Sequence, residues 1–153
     1  MRCTHEGPSY VAFHWRKLST DQTTMASAGT GNKSLENASV LVVDDEVLIR
    51  MSAMYIMEEA GYSVVEAANA DEALIILENC HGITMVLTDI NMPGSMDGLQ
   101  LSCLIRHRWP LIGLVVTSGR FIARAAQMPD GVHFISKPYT PSEIVSALQN
   151  CAA

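Results

Sequence analysis

No stretch of this chain approaches the roughly 18–20 consecutive apolar residues of a membrane span, and its amino terminus lacks the apolar core of a secretory signal. The four cysteines, Cys3, Cys80, Cys103 and Cys151, include no C-x-x-C pair. They do not make a disulfide framework in 153 residues, so a reducing compartment, the cytoplasm, is expected. Cys103 falls within an expected helix and reads as a small core residue. Basic residues are in deficit, 10 Lys and Arg against 16 Asp and Glu, for a net charge of −6. That balance argues against a general nucleic-acid binder. The deficit is uneven. Before Asn37 there are four Lys/Arg and three Asp/Glu, net +1; the remainder has six against thirteen, net −7.

What is present is globular: 48% of residues are apolar, and the length suits one domain with a full core. Residues 1–36 differ from the rest. Ser19 to Ser34 is rich in Ser, Thr, Gly, Ala and Asn without a period, and reads as a disordered or linker-like extension. Tyr10 to Trp15 resembles a short strand with no partner, and Cys3, His5 and His14 fit no zinc-ligand spacing. A translation start at Met25 would remove the first 24 residues. Residues 37–153 are expected to form the folded domain.

From Ala38 the pattern becomes regular. Expected strands are Ser39–Val43, Tyr62–Glu66, Thr84–Thr88, Ile112–Thr117 and Val132–Ser136. A first helix spans Glu46 to Ala60, with Leu48, Met51 and Met54 or Tyr55 facing inward, Glu58 and Glu59 outward, and Gly61 closing it. Asn69-Ala-Asp-Glu72 begins a second helix that runs to about Asn79. Asp97-Gly-Leu-Gln100 opens a third, with Leu99, Cys103, Leu104 and Trp109 inward and Pro110 as its stop. A short helix is expected over Phe121–Gln127. Thr140-Pro-Ser-Glu143 caps the last helix, which runs to about Asn150. Strands alternating with helices predict an α/β fold: a doubly wound parallel sheet covered on both faces, flavodoxin-like, (βα)5, in the order 2-1-3-4-5.

That order places four strand ends along one edge. They carry Asp44-Asp45, Asp89, Thr117 and Lys137. The ligand crevice of an open α/β sheet lies there. An Asp after a strand is more often a turn former or helix cap, and Asp89 alone would be read so; the other strand ends overturn that. Three adjacent carboxylates raise one another's pKa unless a cation neutralises them. Mg²⁺ is the usual hard divalent partner where phosphate is handled, held by one or two carboxylates, a backbone carbonyl and waters. An aspartate oxygen can form an acyl phosphate, while a lysine ammonium and a threonine hydroxyl can hold phosphoryl oxygens.

Val-Val-Asp-Asp-Glu46, Thr-Asp-Ile-Asn-Met-Pro-Gly94, Val-Val-Thr-Ser-Gly119 and Ser-Lys-Pro-Tyr139 occur in this order at the strand ends. In combination they resemble the response regulator receiver domain, in its CheY-like, stand-alone bacterial two-component form, over about residues 38–150. The resemblance implies that Asp89 is phosphorylated by a sensor histidine kinase or phosphotransfer protein. It implies that Asp45 ligates Mg²⁺ directly, Asp44 acts mainly through water, and Asn91 offers its backbone carbonyl. Thr117 and Lys137 would bind the phosphoryl oxygens, and a cis bond before Pro138 would place the lysine. Phe134 matches the switching aromatic that follows Thr117 inward on phosphorylation. Small Ser118 would leave the pocket open. The loop Pro93-Gly-Ser-Met-Asp-Gly98 has one residue more than the commonest form.

If the chain is complete, the expected output is protein contact with a downstream partner, or a phosphorylation-dependent dimer, with no direct nucleic-acid contact; if it is a fragment, an effector domain lies outside it. Enzymatic character is limited to the domain's own phosphorylation and dephosphorylation. Three alternatives compete. A non-phosphorylated interaction module would have no need of all five polar positions. An aspartyl-phosphate phosphatase would want a general-acid Asp where Asn91 stands. A flavin binder would want a Ser/Thr/Gly-rich loop where Asp44-Asp45-Glu46 would repel phosphate.

Overall fold

Four consecutive apolar residues, Val40 to Val43, leave strand β1 (Ser39–Val43) without a solvent face. The computed structural model describes residues 38–119 and 128–151. The expectations for residues 1–36 and for a helix over Phe121–Gln127 lie outside the described residues. Within them the elements run β1, α1 (Val47–Glu59), β2 (Ser63–Ala67), α2 (Ala70–Asn79), β3 (Ile83–Asp89), α3 (Gly98–Arg108), β4 (Gly113–Ser118), β5 (Val132–Ser136) and α4 (Pro141–Cys151). The strands form one parallel sheet in the order β2-β1-β3-β4-β5, the flavodoxin-like order expected.

The central strands β1, β3 and β4 are mostly apolar because alternate residues serve two cores. Val40, Val42, Met85, Leu87 and Val115 pack on one face with Ala53 and Met57 of α1 and Ile144 and Leu148 of α4. Leu41, Val43, Val86 and Leu114 pack on the other with Ala73 and Leu77 of α2 and Leu101 and Ile105 of α3. Each Val, Leu, Ile or Met side chain so withdrawn from water contributes about 1.5–3 kcal/mol.

Helix ends follow local chemistry. Gly61, at φ 91°, closes α1: its N–H bonds to the Glu58 carbonyl, and that of Tyr62 bonds to the Met57 carbonyl. This pairing needs a left-handed residue at Gly61. Asn69 caps α2 by accepting from the Glu72 N–H, and Asp97 and Gln100 form a reciprocal capping box on α3. Thr140 and Glu143 exchange bonds at the start of α4.

Two expectations about helix faces are corrected. In α1, Leu48, Met51 and Tyr55 are exposed, Leu48 by 82%, and the buried stripe is Ala53 and Met57 with Met54 and Ile56 half-buried. Apolar residues occur nearly all round this helix, so periodicity does not fix its phase. Glu58 and Glu59 do face solvent. In α3, Cys103 is exposed rather than in the core. Gly98 is pressed against the backbone of Asp89, which turns Leu101, Ser102 and Ile105 inward. Ser102 is tolerated there because its hydroxyl donates to the Gly98 carbonyl at 2.7 Å.

Candidate functional site

The parallel order and register bring the expected strand ends together. Val43 of β1 pairs with Thr88, and Asp89 pairs with Thr117. Carboxylate oxygens of Asp44, Asp45 and Asp89 lie within 4.8 Å of one another. Lys137 reaches in from the end of β5: its Nζ is 2.8 Å from Asp44 Oδ2 and 3.2 Å from Asp89 Oδ1. The Lys137–Pro138 peptide is cis.

Backbone hydrogen bonds hold these residues in place. The Ile90 N–H donates to the Thr117 carbonyl at 2.9 Å, and the Lys137 N–H donates to the Ser118 carbonyl at 2.8 Å. The end of β4 therefore grips the residue after Asp89 on one side and Lys137 on the other. Asp44 is fully engaged, since its Oδ1 accepts from the Glu46 N–H at 2.9 Å and its Oδ2 from Lys137.

Asp89 is buried, yet its Oδ1 has no hydrogen-bond partner among the described residues. Lys137 is within ion-pair distance of that oxygen but outside hydrogen-bonding geometry. Burial pushes the Asp89 carboxyl above the ordinary range; the Lys137 charge opposes this and the Asp44 charge adds to it. For Lys137, burial acts to lower the pKa, but the bond to Asp44 and the charges of both acids outweigh it, so the ammonium is held above its ordinary value. Burial likewise raises the Tyr139 hydroxyl, which packs beside the site.

A buried carboxylate oxygen with no hydrogen bond, in a cluster of three acids faced by one lysine, fits a hard divalent cation. Oxygen donors at this spacing suit Mg²⁺, which prefers carboxylates and keeps several waters.

The remaining expected residues are nearby with particular orientations. Thr117 is buried, and its Oγ1 is 3.5 Å from the Thr88 carbonyl, at the limit of a hydrogen bond. Asn91 is exposed, and its side-chain amide donates to Ser118 Oγ at 3.1 Å, tying the loop after β3 to the end of β4. Phe134 stands on β5 opposite Val116 and is 40% exposed. The loop after Asp89 is further tied to α2 by the Ser95 hydroxyl, which donates to Asp71 Oδ1 at 2.6 Å.

Two residues that matter to the site were not singled out from sequence. Gly98 is the first residue of α3, and a Cβ there would lie 2.7 Å from the Asp89 carbonyl carbon. Its signal was a glycine directly after a capping Asp, where a better helix former would ordinarily stand. Arg50 donates to the Asp44 carbonyl at 2.6 Å. Five residues beyond Asp45 on a helix, it gave no sequence sign of facing the site.

Similarity to known proteins points the same way. The family model for the response regulator receiver domain matches residues 40–149. The chain is 36% identical over 118 residues to the transcriptional regulatory protein AruR of Pseudomonas aeruginosa, covering 72% of this chain and 48% of that protein. It is 32% identical over 155 residues to the sensor kinase CckA of Brucella abortus, covering 94% of this chain and 16% of that protein. The chain thus spans about half or less of these relatives' own length. Among solved structures, a response regulator receiver protein from Sinorhizobium medicae superimposes with a TM-score of 0.72 at 25% identity, covering 78% of this chain and 97% of that one. The receiver domain of the hybrid histidine kinase CckA gives 0.65 at 30% identity, covering 76% of this chain and 100% of that one. With its strand order, its acidic cluster and its cis-proline lysine in accord, this chain belongs to the response regulator receiver domain family, the CheY-like domains of two-component signalling.

Proposed function

We propose that this domain accepts a phosphoryl group on Asp89 from a phosphohistidine of a sensor histidine kinase or phosphotransfer protein. The observation that carries this reading is the Asp89 carboxylate: buried at the end of β3, its Oδ1 without a hydrogen bond and ion-paired at 3.2 Å with Lys137. An Asp89 oxygen attacks phosphorus, the P–N bond to imidazole breaks, and the electron pair leaves with the ring. The product is an acyl phosphate, which water later hydrolyses. The reaction demands positioning and charge neutralisation more than acid–base chemistry. Asp45 and Asp89 would hold Mg²⁺ with the Asn91 carbonyl, Asp44 acting mainly through water. Bound there, the cation offsets the charge of the acids and of the incoming phosphoryl group. Lys137 and Thr117 would bind phosphoryl oxygens, the Thr117 hydroxyl turning from its long contact with Thr88.

We assign residues 37–153 to this domain, with residues 1–36 as a linker-like extension, and place it in the cytoplasm. No helix of the described residues is long and apolar enough to cross a membrane. The donor's docking surface would include the exposed Val47, Leu48, Met51 and Tyr55 on α1, which begins two residues after Asp45. Inward movement of Thr117 followed by Phe134 would then alter the face formed by β4, β5 and α4, changing contact with a downstream protein or a second copy. The domain is not a turnover enzyme in this reading. Asn91 supplies no general acid, and its amide is committed to Ser118.

The test is incubation with Mg²⁺ and acetyl phosphate followed by intact mass spectrometry. The expected result is one added phosphoryl group, labile to hydroxylamine, with none in Asp89→Asn. Acyl phosphate retained in that variant would overturn the assignment.

A further inference from the structure

Arg50 belongs to α1, and its side chain is only 11% exposed. Its guanidinium is divided between two tasks. Nη1 donates to the Asp44 carbonyl at 2.6 Å, and Nε donates to Glu66 Oε2 on β2 at 2.8 Å. The first contact completes the immobilisation of Asp44. The Asp44 N–H is bonded to the Ala67 carbonyl at 3.2 Å, Oδ1 accepts from Glu46, and Oδ2 accepts from Lys137.

The carbonyl that Arg50 grips belongs to the peptide joining Asp44 to Asp45. Rotation of that peptide would swing the Asp45 carboxylate out of the cluster it forms with Asp44 and Asp89. The second contact has its own consequence. A guanidinium beside three acids would compete with a cation for them, and pairing with Glu66 directs its charge toward β2 instead.

We propose that Arg50 is a positioning residue: by holding the Asp44 carbonyl it fixes the peptide that carries Asp45, and so sets how tightly the acidic cluster takes Mg²⁺, with Glu66 as its anchor. The inference rests on the proposed function, in which these acids bind Mg²⁺. It differs in sign from a purely electrostatic role. If Arg50 acted only through its charge, its removal would relieve repulsion and tighten Mg²⁺ binding. If it positions Asp45, its removal weakens binding, and Lys does not replace it, because one ammonium lacks the planar fork that serves both acceptors.

The experiment titrates Mg²⁺ into the full chain by isothermal calorimetry for wild type, Arg50→Ala, Arg50→Lys and Glu66→Ala, with thermal melting in chelator alongside. Arg50→Ala and Arg50→Lys are expected to raise the Mg²⁺ Kd about tenfold, the lower end of what loss of a partner behind a metal ligand costs. Glu66→Ala, which leaves the site loop untouched, shifts Kd in the same direction. The Mg²⁺ concentration giving half-maximal phosphorylation by acetyl phosphate rises in parallel, while the rate at saturating Mg²⁺ stays near wild type. A lowered melting temperature with unchanged Kd makes the arginine merely structural and overturns the inference, as does tighter binding in Arg50→Ala. A wild-type chain that binds Mg²⁺ beside an Arg50→Lys that binds it equally well overturns this inference alone. A wild-type chain that takes up no Mg²⁺ overturns it together with the proposed function.

Discussion

The ammonium of Lys137 is hydrogen-bonded to Asp44, with Nζ 2.8 Å from Oδ2. Asp89 is the more distant acid, at 3.2 Å. Lys137 is therefore a counter-ion to both buried acids, Asp44 and Asp89. Lys137→Ala would leave three acids uncompensated at a site where both partners of the pair are largely buried. Removing one partner of such a pair costs about 3–5 kcal/mol. Urea unfolding in chelator is expected to show a loss of that order, with Mg²⁺ restoring part of it. The variant should still take a phosphoryl group yet fail to change partner binding when it does. An unchanged unfolding midpoint in chelator would contradict the first expectation.

Asp89 carries a raised pKa in the folded state, with burial as the main cause. A carboxyl that is harder to ionise when folded binds more protons folded than unfolded, so stability falls as pH rises from the ordinary value of 3.8 through the raised one. At neutral pH the ionised Asp89 is a net cost in the metal-free protein. Asp89→Asn should then be more stable than wild type at pH 7 in chelator. Its advantage should shrink as pH is lowered through that window and vanish below 3.8, where both side chains are neutral. Chemical denaturation of the two proteins across this range measures it; an advantage independent of pH would show that ionisation is not the cause.

A methyl group at Gly98 would lie 2.7 Å from the Asp89 carbonyl carbon and 2.9 Å from Thr88 Oγ1. These neighbours are the end of a central strand and cannot give way cheaply. Gly98→Ala should destabilise by about 1–3 kcal/mol, the usual range for overpacking. It should also slow phosphorylation of Asp89, because the displaced backbone carries the proposed acceptor. Gly119, where a Cβ would meet nothing within 4 Å among the described residues, is the control: Gly119→Ala should leave the fold's stability close to wild type.

Phe134 is 40% exposed on β5, next to Val116 and one register position from the Thr117 pair. Phe134→Trp places a fluorophore there. Phosphorylation should shift its emission to the blue as the ring leaves water, and Asp89→Asn in the same background should abolish the shift. Full phosphorylation by mass with unchanged emission would remove Phe134 from the switch.

Much of this was legible in the sequence because the signals were redundant. Each central strand ran apolar without alternation, which only a sheet covered on both faces explains, and each ended on a polar group at the same edge. β1 and β5 have the expected bounds, and the other described strands differ by one residue at each end. The caps at Asn69, Asp97 and Thr140 could be read because their chemistry is local. Helix rotation could not. In α1 both stripes are apolar, and burial of Met57 in place of Leu48 is decided by the sheet beneath. In α3 the phase is decided by contact of Gly98 with Asp89, a tertiary fact that left Cys103 outside and Ser102 within. The same limit hid Arg50, whose partners are Asp44, just past the end of β1, and Glu66 on β2.

The end of β4 grips both the exit of β3 and Lys137 through the carbonyls of Thr117 and Ser118. Mechanical connection of that kind runs in both directions. If phosphorylation of Asp89 shifts this strand end and thereby the outer face of β4 and β5, then a protein that binds the shifted face preferentially must favour the phosphorylated site by the same factor. The domain's partner is then also a regulator of how fully the domain is charged.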